Sequence, residues 1–152
     1  MKYFLPLIIA LSILISPINT LAEELILAGG CFWCLEHDLE SLEGINYVQS
    51  GYSGGDLQNP NYENHEGHQE VVLMNYDPQL VSLSEILRLY LRNIDPLDGK
   101  GQFCDRGDSY RPVIFFKDST EESDEKNALD FSCNHVVSVS AGNQMLHQLK
   151  LI

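Results

Sequence analysis

Basic side chains are scarce in this sequence: nine Lys and Arg stand against 22 Asp and Glu, a formal charge of −13. No stripe of cations runs along any segment, so the surface repels phosphate backbones and nucleic acid is not expected as a partner. Long apolar runs are also lacking. The one candidate, residues 3–16, is short of the roughly 20 residues a spanning helix needs, so no stable membrane partner is expected. No internal repeat is present. No second Cys-x-x-Cys and no His-x-x-x-His accompanies the pair Cys31/Cys34, which argues against a zinc site. What remains, at 152 residues, is a one-domain length.

Residues 1–22 are set apart from the rest. Met1-Lys2 gives a basic start, Phe4, Ile8, Leu11 and Leu14 mark an apolar middle, and Thr20-Leu21-Ala22 ends on small residues. That order is the pattern of a secretory signal peptide. The expectation is an exported protein, periplasmic or secreted, after cleavage near Ala22; an uncleaved membrane anchor is the alternative reading of the same segment. The four cysteines Cys31, Cys34, Cys104 and Cys133 then meet an oxidising compartment, where thiols pair or work under a reductant. Four cysteines allow about three full pairings, and the sequence does not choose among them.

Leu25-Ile26-Leu27-Ala28 reads as a buried strand stopped at Gly29-Gly30. Leu35, Leu39 and Leu42 recur at helical spacing over 32–42, with Gly44 as a stop. A second strand is expected over 45–49, a Gly-, Asn- and Pro-rich loop over 51–67, and a third strand over 70–76 closed by Asp77-Pro78. Ser82-Leu83-Ser84-Glu85 fits a capping box opening a helix to about Ile94, whose stripe is Ile86, Leu87, Tyr90 and Ile94. A loop over 95–110 leads to a fourth strand at Val113-Ile114-Phe115-Phe116. Interleaved strands and helices around one core indicate an α+β or α/β class. Residues 118–130 are acid-rich, and 131–152 show only weak periodicity, which reads as a loose tail.

The strongest chemical feature is Gly29-Gly30-Cys31-Phe32-Trp33-Cys34, between a strand and a helix. A cysteine at a helix start sits where free N–H groups and the dipole favour its thiolate, the nucleophilic form. The two glycines let the backbone turn tightly and leave the sulfur open. Cys34 follows on the same helical face. A small buried thiol or a local disulfide would satisfy the same spacing. Phe32 and Trp33, usually core residues, stand beside the sulfur where an apolar pocket is also plausible. Gly67-His68-Gln69-Glu70 enters a strand, and burial there would hold the Glu70 carboxyl protonated as a proton donor. A solvated glutamate is the plainer reading of that residue, as a structural role is for His68. The polar run from Gly101 to Arg111, with Cys104, Asp105 and Tyr110, suits the positioning of a substrate or water, and equally an ordinary charged loop.

Taken in order, these blocks resemble the A-type peptide methionine sulfoxide reductases. The similarity rests on Gly30-Cys31-Phe32-Trp33, Gly51-Tyr52-Ser53-Gly54-Gly55, Asn59-Pro60-Asn61-Tyr62, Gly67-His68-Gln69-Glu70, Tyr76-Asp77-Pro78, Asn93-Ile94-Asp95-Pro96 and the stretch 101–116. The resemblance implies an α+β two-layer sandwich: a ferredoxin-like mixed sheet with packed helices, in a catalytic domain over 23–117. It implies thiol-dependent reduction of methionine S-sulfoxide, free or in proteins. Cys31 would be the nucleophile that becomes a sulfenic acid, and Glu70 the proton donor. Tyr62, Asp105 and Tyr110 would hold the substrate oxygen and a water, and Phe32 and Trp33 would receive the S-methyl group. No metal or bound cofactor is implied, and a thioredoxin-like dithiol would serve as reductant. The candidates for the resolving thiol are, in order, Cys34, Cys104 and Cys133. The segment 118–152 does not resemble the family's C-terminal portion. Two other readings stand beside this one: a thioredoxin-like disulfide oxidoreductase using Cys31/Cys34, and a non-catalytic remnant of the reductase fold.

Overall fold

The computed structural model describes residues 21–116, 123, 138–141 and 150–151. In chain order the elements are β1 (Glu23–Ala28), α1 (Phe32–Glu40), β2 (Ile45–Ser53), β3 (Gln69–Tyr76) and α2 (Leu83–Asn93). Then come β4 (Gly101–Gln102), β5 (Asp105–Arg106), a 3₁₀ turn (Asp108–Tyr110), β6 (Val113–Phe116), β7 (Ser138–Ala141) and β8 (Lys150–Leu151).

β3 lies antiparallel between β1 and β2, and β6 lies antiparallel on the far side of β1. The resulting order β6-β1-β3-β2 is that of two interleaved βαβ units, the ferredoxin-like arrangement expected from the sequence. β7 adds in parallel to β6 and β8 antiparallel to β2, so the sheet has six strands and is mixed. The β4–β5 hairpin stands apart from it.

Strand alternation divides the core in two. Leu25, Leu27, Val48, Tyr52, Val72, Met74 and Ile114 meet the helices through Phe32, Leu35 and Leu39 of α1 and Ile86, Leu87 and Tyr90 of α2. Ile26, Ala28, Val71, Leu73, Val113 and Phe115 form a second buried cluster on the opposite face. Glu70 falls in the alternation row of Val72 and Met74, which turns its carboxyl toward α1 rather than away from it.

α2 begins as its sequence dictates. The Ser82 hydroxyl accepts from the Glu85 amide at 3.3 Å, and the Glu85 carboxylate accepts from the Ser82 amide at 2.9 Å. The helix expected over 32–42 ends at Glu40, and the chain turns through Leu42, whose amide donates to the Leu39 carbonyl. The second strand runs to Ser53, four residues past the expected end. Gly51, Tyr52 and Ser53 pair with Val71, Glu70 and Gln69, and that pairing outweighs the turn signal of Gly51. The loop expected over 95–110 holds the β4–β5 hairpin and the 3₁₀ turn. The reading of 131–152 as a loose tail is corrected at its two described pieces, 138–141 and 150–151, which pair at opposite sheet edges. Strands this short carry too few residues for a periodicity to register, and ladder bonds to an existing edge form them instead. Residues 1–20, the bulk of the expected signal peptide, and Cys133 lie outside the described residues.

One contact fixes the end of β1 before the glycine pair. The buried Tyr90 hydroxyl donates to the Ala28 carbonyl at 2.6 Å. A side chain on Gly29 would come within 2.8 Å of Ile94 Cγ2, so glycine is needed for α2 to approach. Tyr90→Phe deprives that carbonyl of its donor and is expected to cost about 1–3 kcal/mol. Urea unfolding will read this as a lower midpoint at unchanged slope. An unmoved midpoint would show that the contact contributes nothing.

Candidate active site

Cys31 occupies the N-cap position of α1 with φ −60° and ψ 116°, and its side chain caps nothing. Its carbonyl accepts from the Cys34 and Leu35 amides, each at 3.1 Å, so the helix begins at the thiol. Gly30 precedes it at φ +84°, a left-handed conformation that favours glycine, and its amide donates to the Tyr110 carbonyl at 3.1 Å. A Cβ on Gly30 would stand 3.0 Å from Gln102 Cβ. Gln102 is itself a buried clamp. It accepts from the Asp95 amide at 2.6 Å and donates to the Asp95 and Gly101 carbonyls at 2.8 and 2.7 Å.

The first free amide of α1 is satisfied from across the core: Phe32 N–H donates to Glu70 Oε2 at 3.2 Å. Glu70 is 3% exposed. Burial pushes its carboxyl above the ordinary range, and Asp105 adds to this, while the Phe32 amide and His65 pull the other way. The net direction is upward, toward a protonated acid beside Cys31.

The remaining expected residues gather around this pair. Tyr110 is half-buried, and its phenol is raised by burial and by the negative charge of Glu70, Asp105, Tyr62 and Cys31. Cys34 is exposed. Its thiol is raised first by a hydrogen bond to Cys31, then by burial and by the charge on Cys31, Asp105 and Asp38. Asp105 is half-buried on β5, and Cys104 beside it is exposed at the hairpin tip. Phe32 lies fully buried beneath the site, whereas Trp33 is 51% exposed and stacks on Tyr62 at 5.3 Å and 19°. Tyr62 is thus a rim residue.

His68 has the structural role that a loop histidine usually has. Its Nδ1 accepts from the Gly55 amide at 3.3 Å, and on that tautomer Nε2–H donates to the Leu57 carbonyl at 3.0 Å. Ser109 Oγ donates to the His68 carbonyl at 2.9 Å, tying this loop to the 3₁₀ turn. Two residues beyond the sequence reading belong to the site. Tyr52 is fully buried against Phe32, ring to ring at 5.4 Å, and His65 stacks on it at 4.9 Å. The expectation of a loop from 51 onward hid Tyr52. Only its place two residues past Ser50 in a strand's alternation could have revealed it.

A thiol at a helix start, a buried acid on the next amide and phenols around both, all on a ferredoxin-like sheet, define a thiol protein of the α+β class. The family model described as peptide methionine sulfoxide reductase matches residues 23–139, and the chain belongs to that family. It is 48% identical over 104 residues to peptide methionine sulfoxide reductase MsrA 2 of Staphylococcus aureus. That match takes in 66% of this chain and 59% of the relative, so the chain spans about three fifths of its length. Methionine sulfoxide reductase A of Corynebacterium diphtheriae superposes with a TM-score of 0.67 at 25% identity, over 78% of this chain and 63% of that one. Mxr1 of Saccharomyces cerevisiae in complex with Trx2 shares the fold at a TM-score of 0.54 and 20% identity, over 79% of this chain and 74% of that one.

The raised Glu70 makes stability depend on pH in a definite sense. A carboxyl lifted on folding contributes fully below its unfolded pKa and destabilises as pH rises through the folded value. Glu70→Gln keeps an acceptor for the Phe32 amide and removes the charge. It is expected to melt higher than the parent at about pH 8 and to match it at about pH 4. A gain of the same size at both pH values would rule out ionisation of Glu70 as its source.

Proposed function

We propose that this chain reduces methionine S-sulfoxide, free or in proteins, with Cys31 as nucleophile and Glu70 as acid. The observation that carries the reading is the Phe32 amide bond to Glu70. It holds a buried carboxyl of raised pKa on the residue next to the thiol. The Cys31 thiolate attacks the sulfoxide sulfur and forms an S–S bond, while Glu70 protonates the oxygen to a hydroxyl and so relieves the charge that would build up there. The hydroxyl passes to the Cys31 sulfur as the S–O bond to methionine and the S–S bond break, so methionine departs as the thioether and Cys31 is left as a sulfenic acid. The sulfoxide gains two electrons and Cys31 loses them. Tyr62, Tyr110 and Asp105 hold the oxygen and a water, and Phe32 and Trp33 receive the S-methyl group.

Cys34 is the resolving thiol in this reading, because it is exposed in the first turn of α1 and its amide donates to the Cys31 carbonyl, which keeps the two residues adjacent. Its sulfur displaces water from the sulfenic acid and forms the Cys31–Cys34 disulfide, which a thioredoxin-like dithiol reopens. Cys104, exposed on the hairpin, is the second choice. No bound cofactor takes part. Residues 1–22 act as a secretory signal peptide, placing the enzyme outside the cytoplasm. The disulfide oxidoreductase reading leaves Glu70 on the Phe32 amide without a task, and the remnant reading leaves both it and the thiol pair without one.

The test is methionine release from each sulfoxide epimer, with and without a dithiol reductant. Cys31→Ser is expected to abolish release from the S epimer. Cys34→Ser should release a single equivalent and then stall under thioredoxin-like reduction. Activity retained in Cys31→Ser, or disulfide reduction by the parent without sulfoxide turnover, would overturn the reading.

A further inference from the structure

Tyr52 is 0% exposed, and its hydroxyl has no hydrogen-bond partner among the described residues. A buried hydroxyl left unpaired costs stability, and phenylalanine would fill the same space without that cost. The ring itself is held without it, by contacts with the rings of Phe32 and His65. The hydroxyl's position is specific. In the β2–β3 ladder Tyr52 lies directly opposite Glu70, which puts both side chains on the helix-facing side of the sheet. Phe32 touches both, through its ring to Tyr52 and its amide to Glu70 Oε2. The groups facing Glu70 are that amide from α1, His65 from the 54–68 loop and Asp105 from β5. Those facing the Tyr52 hydroxyl are Glu70, Tyr62 from the same loop and Tyr110 from the 3₁₀ turn. Tyr62 is exposed and Tyr110 half-buried, so both are within reach of water. Tyr52 is not.

We propose that Tyr52 is a positioning residue for Glu70: its buried hydroxyl donates to the carboxylate that forms when Glu70 gives up its proton. Such a donor is idle while Glu70 is protonated and gains a partner only as the proton leaves, so it strengthens the acid at the moment of transfer. Burial raises the Tyr52 phenol to about 12, so it remains a donor throughout the working range. The consequence for turnover rests on the acid role proposed for Glu70; the consequence for Glu70's own titration does not.

Tyr52→Phe tests this through two readouts. By carbon-13 NMR of its carboxyl, Glu70 should titrate about one pH unit higher in the variant, because its carboxylate has lost a hydrogen bond. With methionine sulfoxide, kcat should fall about ten-fold at unchanged KM, and the variant should melt no lower than the parent. An unmoved or lowered Glu70 midpoint overturns the proposal. So does a lower melting temperature, since it would show that the hydroxyl has a structural partner. If the midpoint rises but the parent reduces no sulfoxide, the role of Tyr52 stands and the proposed activity fails. If the parent reduces sulfoxide and the midpoint does not move, the activity stands and the role of Tyr52 fails.

Discussion

A helix start leaves backbone amides without acceptors, and cysteine is not among the side chains that supply one well. Here the Phe32 amide is satisfied by Glu70, 38 residues away in sequence. Much of the local architecture follows from that single bond. It stands in for the missing cap of α1, and it fixes the rotamer of a carboxyl that would otherwise seek water. It also locks β3 to the start of α1, so that the thiol and the acid cannot drift apart. The glycines before Cys31 belong to the same arrangement. Gly29 lets Tyr90 and Ile94 close on the end of β1, and Gly30 turns the chain over Gln102 in a conformation that side chains resist. Each contact removes a freedom that the carboxyl–amide bond alone would leave.

The same bond sets up an electrostatic contest. An amide donor favours the carboxylate, and so does a nearby imidazole. Burial and a second carboxylate favour the neutral acid. Burial is the largest of these at Glu70, with Asp105 on its side, and the result is upward. Had the carboxyl been left at the sheet edge in water, the amide would have won and Glu70 would be an ordinary cap. Cys34 shows the corresponding logic for sulfur. The neighbouring Cys31, its burial and the nearby Asp105 and Asp38 carboxylates raise its thiol by disfavouring a negative charge there.

How much of this was legible in the sequence depends on the range of the interaction. Local signals read well: the capping box at Ser82 and Glu85, the apolar stripe of α2, and the glycine pair before Cys31 all appear where the chain placed them. Cys31 stood out from its own glycine-flanked block at a helix start. Residue chemistry alone read Glu70 as a solvated glutamate and Asp105 and Tyr110 as parts of a charged loop, and only the resemblance singled them out. Tyr52 was not legible, because glycines on both sides of it read as a loop while its backbone is held by pairing with β3 and β8. Gln102 was missed for a similar reason. A lone polar residue in a polar run carries no local sign that it will be 1% exposed and bonded at both ends. The short strands β7 and β8 exist only through the edges they join.

The aromatic residues complete the physical picture, because their exposure is graded. Tyr52 and Phe32 are buried at the base, while Trp33 and Tyr62 stack on each other in solvent at the rim. One continuous run of ring contacts thus passes from half-buried His65 through the buried Tyr52 and Phe32 to exposed Trp33 and Tyr62. A wholly buried arrangement would keep the acid neutral but close the thiol off. A wholly exposed one would admit a ligand but let water restore Glu70 to its ordinary range. Placing Cys31, half-buried, at the join between the two halves reconciles these demands. Cys31 thus keeps part of its surface in solvent while the Glu70 carboxyl beside it is buried. The stacked Trp33–Tyr62 pair is held by its own contact, so the rim persists without intruding on the base.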